Sequence, residues 1–226
     1  MLKDRTAAPI IAKLILVQSS KVTSGLSRSA RPWRFLRALL SHEFLLRTVG
    51  VEEARVIYAD VECLLHWDYH YWLQRGSLEV EKGDLRLAQR FLGSAYSMAP
   101  DDVMVRTEYA YLLIRSGVDS PTSLEASVWV NDGMNILYEI IANRGKIDQY
   151  PYHVLGSQGL AWSRRGVMSE RERRVLLERL ETTLKDGKTN HPRGQELKQL
   201  YEDIKRELYM IAVDRVDLAP RTPEEP

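Results

Sequence analysis

The sequence has few of the features that mark secreted proteins. Cys63 is the only cysteine among 226 residues, so no internal disulfide can form, and no Asn-x-Ser/Thr acceptor for glycosylation occurs. These absences predict a reducing compartment, the cytoplasm. The 32 lysines and arginines are nearly balanced by 31 aspartates and glutamates, so the chain lacks the basic field that favours nucleic acids.

Long apolar runs are also missing. The stretch 7–17 is the most apolar near the start, but Pro9 and Lys13 interrupt it and it is too short to span a bilayer. We therefore predict no membrane association. Because 44% of residues are apolar and 28% are charged, the composition is that of an ordered globular protein.

Composition along the chain predicts three regions. Residues 1–32 read as an N-terminal helix followed by a serine-rich linker, either a separate element or the remnant of an upstream domain. Residues 33–214 are dense in amphipathic helical patterns and predict one helical domain. Residues 215–226 end in a Pro/Glu-rich segment that predicts a flexible tail.

An internal repeat lies within the helical region. Ala54 and Ala88 occupy similar apolar segments and are 34 residues apart, which is the length of a tetratricopeptide unit. In the segment from Tyr69 to Asp102, the fourth, eighth, twentieth, twenty-seventh and thirty-second positions carry the expected residue types: Trp72, Gly76, Ala88, Ala95 and Pro100. Here the chain resembles the tetratricopeptide repeat family, although Arg75 and Glu79 replace the usual leucine and tyrosine.

The small residues have a physical role in this pattern. Gly76, Ala88 and Ala95 allow two helices to cross closely, and Gly83-Asp84 predicts the turn between them. Weaker helix pairs are predicted on both sides, including one that starts near Tyr150 and in which Leu155 and Gly156 take the seventh and eighth positions. The resemblance implies an all-α, right-handed solenoid of stacked antiparallel helix pairs, closed by a C-terminal capping helix from Gly194 to about Asp214.

Several short segments resemble functional motifs only when they are considered apart from their surroundings. Gly187-Lys188-Thr189 lacks the first glycine of a phosphate-binding loop and predicts a helix end instead. His66, Asp68 and His70 have a spacing that a metal could use, but Asp68 is better interpreted as a helix N-cap. Cys63 reads as a small core residue and 164–174 as a solvated face with helical ion pairs. We predict no catalytic residues, metal or cofactor, and no small-molecule substrate.

A protein partner is the remaining expectation. In the family, helix A side chains line a concave wall that binds other proteins, and carrying those positions over one by one predicts a partner-binding set. Its members are His70, Gln74, Ser77, Glu81, Thr107, Glu108, Tyr111, Arg115 and His153. The chain lacks the lysine and asparagine clamp of chaperone-binding members.

Two stretches resemble a narrower group. Residues 68–81 and 151–159 are similar to the C-terminal helical region of bacterial signal-transducing NTPases and antiviral-defence proteins. That resemblance implies a scaffold or sensor whose partner carries the NTPase or effector. The alternative is a regulatory or nucleic-acid-associated module that uses the basic face 164–174.

Overall fold

The computed structural model of this chain describes residues 39–122, 124–143 and 148–218, with backbone alone for 214–218, and all regular secondary structure there is α-helical. The predicted all-α fold is confirmed for these residues. Within them, no helix combines the length and the apolar composition that a bilayer span requires. The helices are α1 (His42–Thr48), α2 (Val51–Leu65), α3 (Tyr69–Lys82), α4 (Leu85–Met98), α5 (Val103–Asp119), α6 (Ala126–Asn143), α7 (Tyr150–Ser163), α8 (Glu170–Asn190) and α9 (Gln195–Leu218).

The chain divides into two compact units within α5, one ending at Leu112 and the other beginning at Leu113. The predicted N-terminal helix and linker at 1–32 lie outside the described residues, as do 219–226 of the predicted tail. Helix α9 continues to Leu218, past the end near Asp214 that its apolar pattern suggested.

Local signals set several helix ends. The Asp68 side chain accepts a hydrogen bond from the backbone N–H of His70, so the predicted cap at the start of α3 is confirmed. Gly83 ends α3 with φ of 89°, and Asp84 caps α4 by accepting from Leu87 N–H, which confirms the predicted turn. At the start of α8, Ser169 forms the predicted capping box with Glu172.

Helices α3 and α4 cross at a point where side chains are small. Ala88 and Ala95 are fully buried, and a Cβ added to Gly76 would lie 2.5 Å from Cγ of Leu92. Such a distance is closer than real Cβ contacts allow, so the hairpin depends on glycine at this position. Trp72 stacks against Phe91 of α4 with ring centroids 5.8 Å apart.

The second unit uses the same device in its α7–α8 hairpin. A Cβ at Gly156 would lie 2.9 Å from a methyl carbon of Leu184, and one at Gly159 would lie 2.7 Å from a methyl carbon of Leu180. Helix α9 packs against this hairpin through buried residues that include Leu197, Ile204 and Ile211. The predicted single apolar side of the last helix is confirmed.

Two glycines near helix ends are contact points. Gly117 lies in α5, which ends at Asp119, and a Cβ there would be 2.5 Å from Cγ2 of Val130. Gly187-Lys188-Thr189 lies in the last turn of α8, close to the predicted helix end, and a Cβ at Gly187 would meet the Tyr152 ring at 2.7 Å. In both cases glycine permits a close approach inside the helix.

The prediction that Cys63 is a core residue is also wrong, because its side chain is exposed. The buried stripe of α2 runs through Ala54, Ile57, Val61 and Leu65 at spacings of three and four residues. Two residues beyond Val61 correspond to about 200° of helix rotation, so Cys63 falls on the opposite side.

Candidate functional site

The predicted binding face of α3 lies against α1. Oε1 of Gln74 accepts a hydrogen bond from the backbone N–H of His42 at 3.1 Å and lies 2.9 Å from Nδ1 of the same histidine. Nε2 of His42 is 3.8 Å from the Glu81 carboxylate. The structure therefore brings Gln74 and Glu81 together around His42, a partner that the repeat alignment did not include.

The same helix carries a buried ion pair on a neighbouring face. Glu79, whose side chain is 2% exposed, accepts from Nε and Nη2 of Arg55 at 2.9 and 2.6 Å. These bonds raise the pKa of Arg55, and the two-point geometry joins α2 to α3. Glu79 was noted in the sequence only as a departure from the tyrosine of the repeat, so the pair was missed.

Three members of the predicted partner-binding set are buried: Ser77, Thr107 and Glu108. The Thr107 hydroxyl donates to the Val103 carbonyl at 2.7 Å. Burial counts against direct contact between these side chains and a partner. The predicted lining assumed that every helix A position on one face is open, whereas the side chains here are covered by packing.

Other members of the set are accessible to different degrees. His70 is half-buried and its ring lies 4.0 Å from that of Tyr69. Tyr111 is half-buried and packs against the core of the first unit. In the second unit, Arg115 pairs with Asp119 at 2.9 Å, and Nε2 of His153 lies 3.7 Å from the Glu196 carboxylate.

The repeat-signature residues differ in how deeply they are buried. Gly76, Ala88, Ala95, Leu155 and Gly156 are buried in the helix crossings, whereas Pro100 is exposed in the connection between α4 and α5. Trp72 is half-buried, and its indole N–H donates to the carbonyl of His66 at 2.7 Å.

Most arginines of the basic segment 164–174 that form ion pairs do so with carboxylates outside the segment. Arg164 and Arg173 both pair with Glu207 of α9, and Arg165 lies 3.8 Å from Asp119 of α5. Arg174 pairs with Glu178 one turn along α8. The interpretation of this segment as self-paired is thus wrong for most of its arginines, because sequence spacing shows only pairs within one helix.

Glu172 closes the capping box at the start of α8. Its carboxylate accepts from the backbone N–H of Ser169 at 2.8 Å and from the hydroxyl of the same residue at 2.6 Å. These hydrogen bonds lower the pKa of Glu172, so the carboxylate stays charged while it closes the capping box.

Two arginines of α8 remain without a carboxylate partner among the described residues, Arg171 and Arg179. Both line one cavity of about 300 Å³ between α6, α7 and the start of α8. The sequence does distinguish these two arginines, because neither has an aspartate or glutamate three or four residues away, unlike Arg174.

The described residues contain no group of three or more His, Cys, Asp and Glu side chains placed to hold a metal ion. His66, Asp68 and His70 instead surround the start of α3, where Asp68 is occupied as its cap.

Comparison of the chain with protein-family models, with curated proteins and with solved structures gave no match.

Proposed function

We propose that this chain is a non-catalytic module of stacked α-hairpins that binds a protein partner. The observation that carries the proposal is the α3–α4 crossing, where Gly76 faces Leu92 at a distance that admits no side chain. The α7–α8 hairpin repeats this arrangement with Gly156 and Gly159. Hairpins closed in this way use their apolar surface on each other and present polar helix faces, the arrangement that repeat proteins use to bind other macromolecules.

The polar faces are not equivalent. In the first unit the Gln74 and Glu81 side of α3 is in contact with His42, so partner contact there would have to involve α1 as well. We therefore propose Tyr111 and Arg115 of α5 and His153 of α7 as contact residues, and each is considered separately from the others. Tyrosine and arginine are the residue types most often found at the centres of protein interfaces.

A pull-down with variants tests the proposal. The immobilised chain is expected to retain a specific partner that Arg115→Glu no longer captures and that Tyr111→Phe, which keeps the packed ring, captures more weakly, both at unchanged melting temperature. Arg206→Glu is the matched control, because Arg206 also pairs within its own helix, with Asp203 at 3.2 Å. Loss of capture that follows loss of stability would show that these residues serve the fold and not the partner.

The resemblance of 68–81 and 151–159 to helical regions of bacterial NTPases makes an NTPase or an effector the first partner to test. An NTPase or effector gene beside the gene for this chain would support the choice, and co-expression of the two would provide the candidate for the pull-down.

The alternative, a nucleic-acid-associated module on the face 164–174, has less support. Arg164, Arg165, Arg173 and Arg174 each have a carboxylate partner, which reduces the charge available to phosphates. Retention on an RNA or DNA column that weakens steeply with salt would favour this alternative over protein binding.

A further inference from the structure

The cavity between α6, α7 and α8 is lined by two arginines that have no carboxylate partner among the described residues. Arg171, Val175 and Arg179 follow one another at intervals of four residues along α8 and all three line it. Val175 is 58% exposed, although it is an apolar residue. One face of α8 therefore presents a cation, an apolar side chain and a second cation in a row.

Tyr138 also lines the cavity. The guanidinium of Arg179 lies over the Tyr138 ring, 3.5 Å from the centroid, which holds both side chains in place. The Tyr138 hydroxyl oxygen is buried and has no hydrogen-bond partner among the described residues, so the ring of Tyr138 is the part that supports Arg179.

Helix α6 contributes side-chain amides to the cavity. Asn131 and Asn135 are exposed, lie one turn apart on α6 and line the cavity. Side-chain amides both donate and accept hydrogen bonds, which suits the alternating N–H and C=O groups of a peptide backbone. Glu172 also lines the cavity, but its carboxylate already accepts two hydrogen bonds from Ser169.

The spacing along α8 matches an extended peptide. Arg171 and Arg179 are eight residues apart, so their Cα atoms are about 12 Å apart along the helix axis, with Val175 midway. In an extended strand, side chains at alternate positions share a face, and four residues span about 13 Å. A peptide with the pattern acidic–x–apolar–x–acidic would place its two carboxylates on the arginines and its apolar residue on Val175.

We propose that this cavity is a docking site for an extended acidic segment of a partner protein, with Arg171 and Arg179 each binding one carboxylate and Val175 packing against its apolar residue. The inference rests on the proposed function in protein binding and names the chemistry of the partner. It differs from the predicted helix A wall, because its cations are on α8; Arg171 lies within the basic face 164–174 that the alternative assigned to nucleic acids, and Arg179 lies outside that face.

Fluorescence anisotropy on the full chain tests the site. The probe is a labelled, N-acetylated and C-amidated peptide with the core Glu-Ser-Leu-Ser-Glu, compared with a peptide of the same composition whose two glutamates are adjacent. We expect the first peptide to bind, and Arg171→Ala or Arg179→Ala to weaken it about tenfold, since each removes one charge-assisted pair. Arg174→Ala is the matched control, because Arg174 is on the same helix and pairs with Glu178; its effect should stay within about twofold.

One further variant keeps the test valid. Arg179→Ala removes the contact with the Tyr138 ring and could lower the melting temperature, whereas the exposed Arg171 makes no such contact among the described residues. Tyr138→Phe keeps the ring under Arg179 and removes only the buried hydroxyl, so it should leave peptide binding nearly unchanged and the melting temperature unchanged or higher. A lowered melting temperature for this variant would show that the hydroxyl serves the fold.

Four outcomes would overturn the inference: no binding of the peptide by the unaltered chain, equal binding of the adjacent-glutamate peptide, equal loss in Arg174→Ala, or displacement of the peptide by a single-stranded RNA. Failure of the proposed function looks different. If the chain captures a partner that depends on Tyr111 or Arg115 while Arg171→Ala changes nothing, only this docking site is disproved.

Discussion

Replacement of Gly76 by alanine tests the helix crossing on which the proposed architecture depends. In an open helix this change stabilises by about 0.5–1 kcal/mol, because alanine loses less backbone entropy on folding than glycine does. Here the new Cβ would lie 2.5 Å from Cγ, 2.7 Å from Cδ2 and 3.1 Å from the backbone nitrogen of the fully buried Leu92. Leu92 would have to move by about 1 Å to reach an ordinary contact distance, at an overpacking cost of about 1–3 kcal/mol. We therefore expect a net loss of about 1–2 kcal/mol in the free energy of unfolding.

Gly93 supplies the matched control. It lies in α4, next to Leu92 in sequence, and a Cβ added there meets nothing within 4 Å. Gly93→Ala should therefore raise stability by about 0.5–1 kcal/mol. Urea unfolding followed by circular dichroism measures both variants against the unaltered chain. If Gly76→Ala is as stable as Gly93→Ala, the crossing is not closely packed and the argument from small residues fails.

A double-mutant cycle adds a second check on the same contact. In a Leu92→Ala background the clashing Cγ and Cδ2 atoms are gone, so the cost of Gly76→Ala should fall by about 1 kcal/mol or more. A cost that is the same in both backgrounds would place the strain elsewhere.

Three other predictions concern charged and titrating groups. Arg55→Ala should lower the free energy of unfolding by about 3 kcal/mol, because Glu79 would remain buried without its cation. A double variant that also carries Glu79→Gln should recover part of that loss, and equal stability of all three chains would contradict the prediction. The pKa of Glu172 is lowered from 4.5 by its hydrogen bonds to Ser169, so the stability that it adds is present above pH 4.5 and is lost as pH falls through the folded pKa. The unfolding midpoints of the unaltered chain and of Glu172→Gln should therefore converge in acid, and midpoints that stay parallel over the whole pH range would refute the capping role. Burial raises the pKa of Tyr71 from 10.0 to about 12, against the opposing effect of Arg75, so the stability from the neutral phenol is complete below pH 10 and is lost as pH rises through 12. An absorbance titration should lose a tyrosine step near pH 12 in Tyr71→Phe, and an unchanged titration would refute the assignment.

The features that were predictable from sequence are those decided within one or two helical turns. Asp68, Asp84 and Ser169 cap helices because their side chains reach backbone N–H groups two or three residues away. The apolar stripe of α9 was visible for a similar reason, since a spacing of three and four residues places side chains on one side of any helix.

The role of each glycine could not be predicted from neighbouring residues in the sequence alone. Gly83 has φ of 89° and ends α3, as its position before Asp84 predicted. Gly117 and Gly187 are also near helix ends, yet both lie inside their helices and face Val130 and Tyr152. One residue type serves both purposes, and only the neighbour in space distinguishes them.

The sequence by itself determined the helical class, the main caps and the small residues of the α3–α4 hairpin, because these depend on chemistry a few residues apart. The tertiary structure alone decided that His42 meets Gln74 and that Glu79 pairs with Arg55, since each contact joins residues more than twenty positions apart. It also decided which arginines are neutralised: Glu207 reaches Arg164 and Arg173 from another helix and leaves Arg171 beside the cavity. Charge pairs across helices depend on how the helices pack, and periodicity along the chain does not contain that information.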